Sequence, residues 1–171
     1  TLFWSPDSEK IAFIDEKNKI YYVDIASGSV TEVDDFIWNL GHGSRYSFPI
    51  SWSPDSKYLA FSIGQENSNY AIHIYSLEDG TTNQVTSGYY SDFYPVFGSE
   101  GKYLFFLTDR QFSAAYSGLQ DGTWIYPNST NIVALALNSD APYLLKAKND
   151  EIKSDEKEDG DKKKGEEKDE E

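Results

Sequence analysis

Trp4-Ser5-Pro6-Asp7-Ser8 returns as Trp52-Ser53-Pro54-Asp55-Ser56, 48 positions later. The match runs on: Ile11-Ala12-Phe13-Ile14 aligns with Leu59-Ala60-Phe61-Ser62. A degraded third copy reads Pro95-Val96-Phe97-Gly98-Ser99-Glu100-Gly101-Lys102-Tyr103-Leu104-Phe105-Phe106, and its Lys102-Tyr103-Leu104 lies 45 residues after Lys57-Tyr58-Leu59. A period of this length, carried by short apolar segments between turn residues, is the signature of stacked structural repeats, each a supersecondary unit that buries its apolar faces against its neighbours.

Within each period the pattern predicts four short strands. In the second copy, Pro49 to Trp52 reads as an inner strand ended by Ser53-Pro54-Asp55-Ser56. There Pro presets the turn, and Asp and Ser can bond its free amides. Tyr58 to Ile63, Ala71 to Leu77 and Asn83 to Thr86 follow, with Glu78-Asp79-Gly80-Thr81 as a hairpin whose Gly tolerates positive φ. The first copy predicts strands at Lys10 to Asp15, Lys19 to Ile25 and Val30 to Val33, with most of its inner strand missing. Four-stranded units at a 40–50 residue period indicate a β-propeller. The expected fold class is therefore all-β: a propeller fragment of about three four-stranded antiparallel blades, near residues 1–40, 41–88 and 89–147. Three blades do not close a ring, so the chain reads as an internal piece with two open blade edges, marginal alone.

Residues 148–171 break the pattern. They carry 12 acids and 7 bases in 24 positions, whereas all 27 aromatics lie earlier. Such a segment cannot bury enough apolar surface to offset its ordering entropy, and a disordered Lys/Glu-rich linker is expected. The whole chain has 15 Lys plus Arg against 29 Asp plus Glu, net −14. That balance argues against a nucleic-acid partner, which needs a basic face. With no Cys and two His, thiolate metal sites and thiol catalysis are excluded, and neither a metal site nor a cofactor is expected. No apolar run reaches the length of a membrane helix.

The third copy departs from the others in having about 22 residues, Asp109 to Thr130, between its second strand (Tyr103 to Thr108) and its third (Asn131 to Leu137). Loops of this length are functional or disordered. This one holds Phe112, Tyr116, Trp124, Ile125 and Tyr126, which predicts packing over a propeller face.

The Trp-Ser-Pro-Asp-Ser…Ala-Phe repeat resembles the propellers of the TolB protein, the tricorn protease and related peptidases. Tyr103-Leu104-Phe105-Phe106-Leu107-Thr108-Asp109-Arg110-Gln111-Phe112, then Tyr116-Ser117 and Ile132-Val133-Ala134-Leu135-Ala136-Leu137, narrows this to the tricorn-like serine peptidases. Gln111 and Ala114-Ala115 depart from that family's usual stretch. The resemblance implies a non-catalytic propeller segment that gates or guides peptides and unfolded chains, with the Ser nucleophile in a domain downstream. It also implies that the rest of the parent protease is a partner and allows an oligomeric parent. The rival reading is a TolB-like propeller that docks a protein partner; TolB-like repeats turn quickly where this chain has its long loop.

No Gly-x-Ser-x-Gly elbow accompanies His42, so the reading of Gly41-His42-Gly43-Ser44 is a loop. His73, between Ile72 and Ile74, reads as a packed strand residue. Asp7 and Asp55 recur with the turn and read as its caps. Trp4, Trp52 and Phe97 read as inter-blade core. No catalytic residue is assigned. Candidate substrate contacts at the channel or its mouth are Arg45, Tyr46, Tyr90 and Tyr94, in stretches just ahead of proline-started inner strands, and Asp109 and Arg110 at a strand end. Tyr offers contact area at low entropy cost, and Arg can hold a carboxylate by paired bonds or brace the long loop.

Overall fold

The computed structural model describes residues 1–35, 48–111, 115–116, 124–125 and 128–145. The described residues form antiparallel sheets. β1 (Leu2–Trp4), β2 (Lys10–Ile14), β3 (Lys19–Asp24) and β4 (Val30–Asp35) make the first, paired in chain order. β5 (Ile50–Trp52), β6 (Tyr58–Gly64), β7 (Tyr70–Ser76) and β8 (Thr81–Gln84) make the second in the same order. β9 (Asp92–Phe97), β10 (Tyr103–Thr108) and β13 (Asn131–Ala136) make the third, with β10 central. Between β10 and β13, β11 (Ala115–Tyr116) and β12 (Trp124–Ile125) pair as a separate hairpin. The all-β propeller-fragment reading stands, with three differences.

The third sheet has three strands among the described residues, not four: after β13 the chain turns through Asn138–Ala141, and Pro142 has no amide to donate to a ladder. The first inner strand is as long as the second, three residues each, so it is not truncated. And Trp4 is 58% exposed whereas Trp52 is 8% exposed. The same residue type has two environments because sheet 1 packs behind Trp52, while no described sheet lies on the outer side of Trp4. The expected 148–171 linker and His42 lie outside the described residues, as does most of the long loop, so the expected packing of that loop is not described.

Strand alternation explains the core. In β6, Leu59 and Phe61 face the first sheet and join Ala12, Ile20, Ile50, Trp52 and Tyr75. Ala60 points the other way and joins Ile72, Leu104 and Phe106. A sheet covered on both faces needs apolar residues at successive positions, which is why this strand reads as a continuous apolar run.

The repeated turn is built as expected and has an addition. Ser5 and Ser53 each donate a hydroxyl hydrogen bond to Asp7 and Asp55, whose carboxylates also accept the amides of Glu9 and Lys57. The serine ending each motif is left-handed, φ 62° at Ser8 and 60° at Ser56, and Gly101 takes that conformation in the third copy at 68°. Adjacent sheets are tied by the Trp52 indole donating to the Phe3 carbonyl (2.9 Å), Thr82 to the Val33 carbonyl (3.3 Å) and the Phe97 amide to the Ser51 hydroxyl (3.0 Å).

Candidate functional site

The connection into β9 and the exit of β10 meet at one end of the third sheet, because Asp92 pairs with Thr108 in the β9–β10 ladder. The Asp109 amide extends that ladder to the Ser91 carbonyl (3.0 Å). The β8–β9 connection is held from the β6–β7 turn. Asn67 donates to the Gly88 carbonyl (3.0 Å), and Asn69 to the carbonyls of Gly88 (3.2 Å) and Tyr89 (2.8 Å). Backbone otherwise free to wander is thus pinned by two side-chain amides, and the Tyr89–Tyr90 pair, edge to face at 4.9 Å, stands on a fixed base.

At the centre is an ion pair. Arg110 reaches the Asp92 carboxylate at 3.1 Å; the Asp92 side chain is 1% exposed and that of Arg110 44%. A buried carboxylate is tolerated only with a partner, so Arg110 is the condition for Asp92 to sit there. The guanidinium also lies 5.7 Å from the Tyr90 ring centroid and 5.9 Å from that of Phe106, within cation–π range. The remaining oxygen of Asp92 and the hydroxyl of Thr108 are buried and find no hydrogen-bond partner among the described residues.

Of the six residues expected to contact substrate, the fold brings Tyr90 and Arg110 together. Asp109 turns away from Arg110 and accepts the Thr130 hydroxyl at 2.8 Å, so the brace runs to Asp92 and not to the adjacent carboxylate. Tyr94 sits in a β-bulge: the β9–β10 register shifts between Phe105 and Leu107, and Tyr94 takes φ 55° beside Pro95. Its ring lies against Phe93 at 5.6 Å, and it is 47% exposed. Arg45 and Tyr46 lie outside the described residues. Asp92, Asn67 and Asn69 were not singled out in the sequence. An acid directly ahead of an inner strand, among tyrosines, was the available signal for Asp92; nothing local marks the two asparagines.

The arrangement presents a planar cation, half exposed, held by a buried acid and flanked by aromatic rings. Such a group recognises carboxylates, carbonyls or aromatic faces. Acyl-transfer chemistry would need a nucleophile beside a base. His73 instead has its Nδ1 at 3.1 Å from the Ala71 carbonyl and stacks on Phe61 at 6.2 Å; burial lowers its pKa. No group of three or more His, Asp or Glu suited to a metal ion occurs among the described residues, and no described helix is long and apolar enough to cross a membrane.

Residues 1–171 match the family described as the tricorn protease second beta propeller domain. The chain is 26% identical over 140 residues to tricorn protease homolog 1 of Streptomyces coelicolor, which covers 81% of this chain and 13% of that protein. It is 26% identical over 112 residues to the tricorn protease of Thermoplasma volcanium, covering 62% of this chain and 10% of that one. The chain thus spans about a tenth of the length of these relatives. Among solved structures, the tricorn protease superposes with a TM-score of 0.70 at 16% identity, over 84% of this chain and 14% of that one. TolB from Acinetobacter baumannii superposes with a TM-score of 0.51 at 22% identity, over 74% and 31%. Both likenesses are of fold.

Proposed function

The chain belongs to the tricorn protease second β-propeller domain family, and from that premise we propose that it is a non-catalytic propeller segment of a serine-type peptidase, guiding peptides and unfolded chains toward a catalytic domain outside these residues. On this reading residues 1–147 are the propeller portion, with blades near 1–40, 41–88 and 89–147, and 148–171 are a linker.

The observation that carries the proposal is Arg110, fixed by buried Asp92 against Tyr90 and Phe106 at the entry to an inner strand. A passing chain offers a carbonyl at every residue. A pinned guanidinium flanked by aromatic rings can engage any of them, without demanding a sequence. The long Asp109–Thr130 insertion beside it favours this reading over a TolB-like docking propeller. Tyr94, Asp109, Arg45 and Tyr46 belong to the same proposed mouth.

The test is Arg110→Gln in the full-length peptidase. Degradation of an unfolded protein should show a raised KM, while cleavage of a tripeptide reporter is unchanged. Equal losses on both substrates, or on neither, would remove Arg110 from substrate guidance.

A further inference from the structure

The second and third sheets are not joined as the first and second are, and the difference leaves a cleft. Between sheets 1 and 2, the Trp52 indole packs edge to face on Tyr22 at 6.5 Å, and the Ser56 hydroxyl accepts the Asp7 amide at 3.1 Å. The repeat assigns each of these a counterpart one sheet on. Tyr22 pairs with Ala12 as Ile74 pairs with Ala60, so Ile74 stands where Tyr22 stood. Phe97 stands for Trp52 and Gly101 for Ser56. Each replacement is smaller or lacks the hydroxyl, and all three new residues line an opening of about 490 Å³. Asp55, Tyr58, Glu100, Leu137 and Asn138 also line it.

We propose that this cleft binds a peptide through an aromatic side chain flanked by Lys or Arg. The aromatic ring would take the place that the Trp52–Tyr22 pair fills in the preceding interface, against Ile74, Phe97 and Leu137. The volume lies within the range of small-ligand sites and accommodates a ring with its flanking backbone. Charge selects the flanks: the acidic residues Asp55 and Glu100 are part of the lining, and the chain carries net −14. Lys102 already meets Glu100 at 2.7 Å; Asp55 has Oδ1 engaged by the Ser53 hydroxyl and the Lys57 amide, and its other carboxylate oxygen is the principal anchor. The site is separate from Arg110, and the inference does not rest on substrate guidance there.

The experiment titrates the full-length peptidase, isotope-labelled in these 171 residues by segmental ligation, with acetyl-Lys-Trp-Lys-amide, following backbone amides by NMR. Saturable shifts at Gly101, Leu137 and Asn138 are expected, with at least tenfold weaker binding of acetyl-Lys-Ala-Lys-amide. Refilling the cleft with Ile74→Tyr plus Phe97→Trp should weaken binding at least tenfold. Gly101→Ser, a milder change, carries the same test if the double variant does not fold. Arg110→Gln should leave the binding unchanged, which separates failure here from failure of the guidance reading. Absence of saturable shifts, equal binding of the alanine peptide, or undiminished binding by the refilled variant overturns the proposal. Shifts at these amides on dilution without peptide would show a second copy of the chain in the cleft and overturn it equally.

Discussion

The backbone amide of Asp7 donates to the Ser56 hydroxyl at 3.1 Å, across 49 positions of sequence. Two copies of one turn are thereby linked directly, the last residue of the second motif capping the fourth residue of the first.

Removing that hydroxyl should loosen the first two sheets. Ser56→Ala is expected to cost about 1 kcal/mol, the net worth of one such hydrogen bond, seen as a lower urea midpoint at unchanged slope. Gly101→Ser is the converse. Ser8 and Ser56 already occupy this left-handed conformation, and a Cβ at Gly101 would meet only the Pro54 ring at 3.9 Å. A gain of up to about 1 kcal/mol is expected if the new hydroxyl reaches the Asp55 amide. A loss would mean that the third turn is not a repeat of the second.

The two tryptophans of the repeat should respond very differently. Trp52→Phe removes the bond to the Phe3 carbonyl and part of a buried ring, for a cost of about 2–3 kcal/mol. Trp4→Phe, at a position 58% exposed, should change stability by less than about 0.5 kcal/mol. Thermal unfolding of the pair decides it; equal costs would contradict the asymmetric burial.

Arg110→Met strands a carboxylate that is 1% exposed. Full burial of both partners would make this a loss of about 3–5 kcal/mol. Because Arg110 is itself 44% exposed, solvent screening reduces the expectation to about 2 kcal/mol. Adding Asp92→Asn should return part of it, and a double-mutant cycle showing no coupling would dismiss the pair as a stabilising contact.

Stability should fall with acid through two sets of groups, which open two windows at different pH. Burial lowers the His73 pKa below its ordinary value near 6.5. As pH drops below about 6.5 the unfolded chain binds a proton that the folded chain refuses. Stability is then lost, at up to about 1.4 kcal/mol per pH unit, until the lowered folded pKa is reached. Asp7, held down by the Ser5 hydroxyl and Glu9 amide, and Asp24, held down by Ser27, act later. Their contribution is present above about pH 4 and lost as pH falls through their lowered values. Urea midpoints measured from pH 8 to 3 should show both windows, and His73→Phe should abolish the upper one alone.

Much of the architecture was legible because the repeat carries its own signals. The Ser-Pro-Asp-Ser turn bonds its own amides, so its structure is local, and the strands on either side follow from alternation and Gly-marked hairpins. Arg110 stood out as a cation at a strand end, but its partner did not. The neighbouring Asp109 was the obvious carboxylate, and Asp92, 18 residues away, is brought to Arg110 only by the β9–β10 pairing. The bulge at Tyr94 was hidden for the same reason: a register shift belongs to two strands together.

The residues alone encode everything whose cause lies within one period: strand, turn, cap, the period itself, and hence the propeller. Tertiary structure alone decided the rest. Trp4 and Trp52 stand in identical motifs, yet one is exposed and the other buried, because burial depends on whether a sheet lies behind the residue. Phe97 reads as inter-blade core in the chain, and nothing local marks Ile74 or Gly101; the three line a cleft only when two sheets face each other. Local hydrogen bonds are encoded by neighbours in sequence, whereas an interface is a property of the two surfaces that meet.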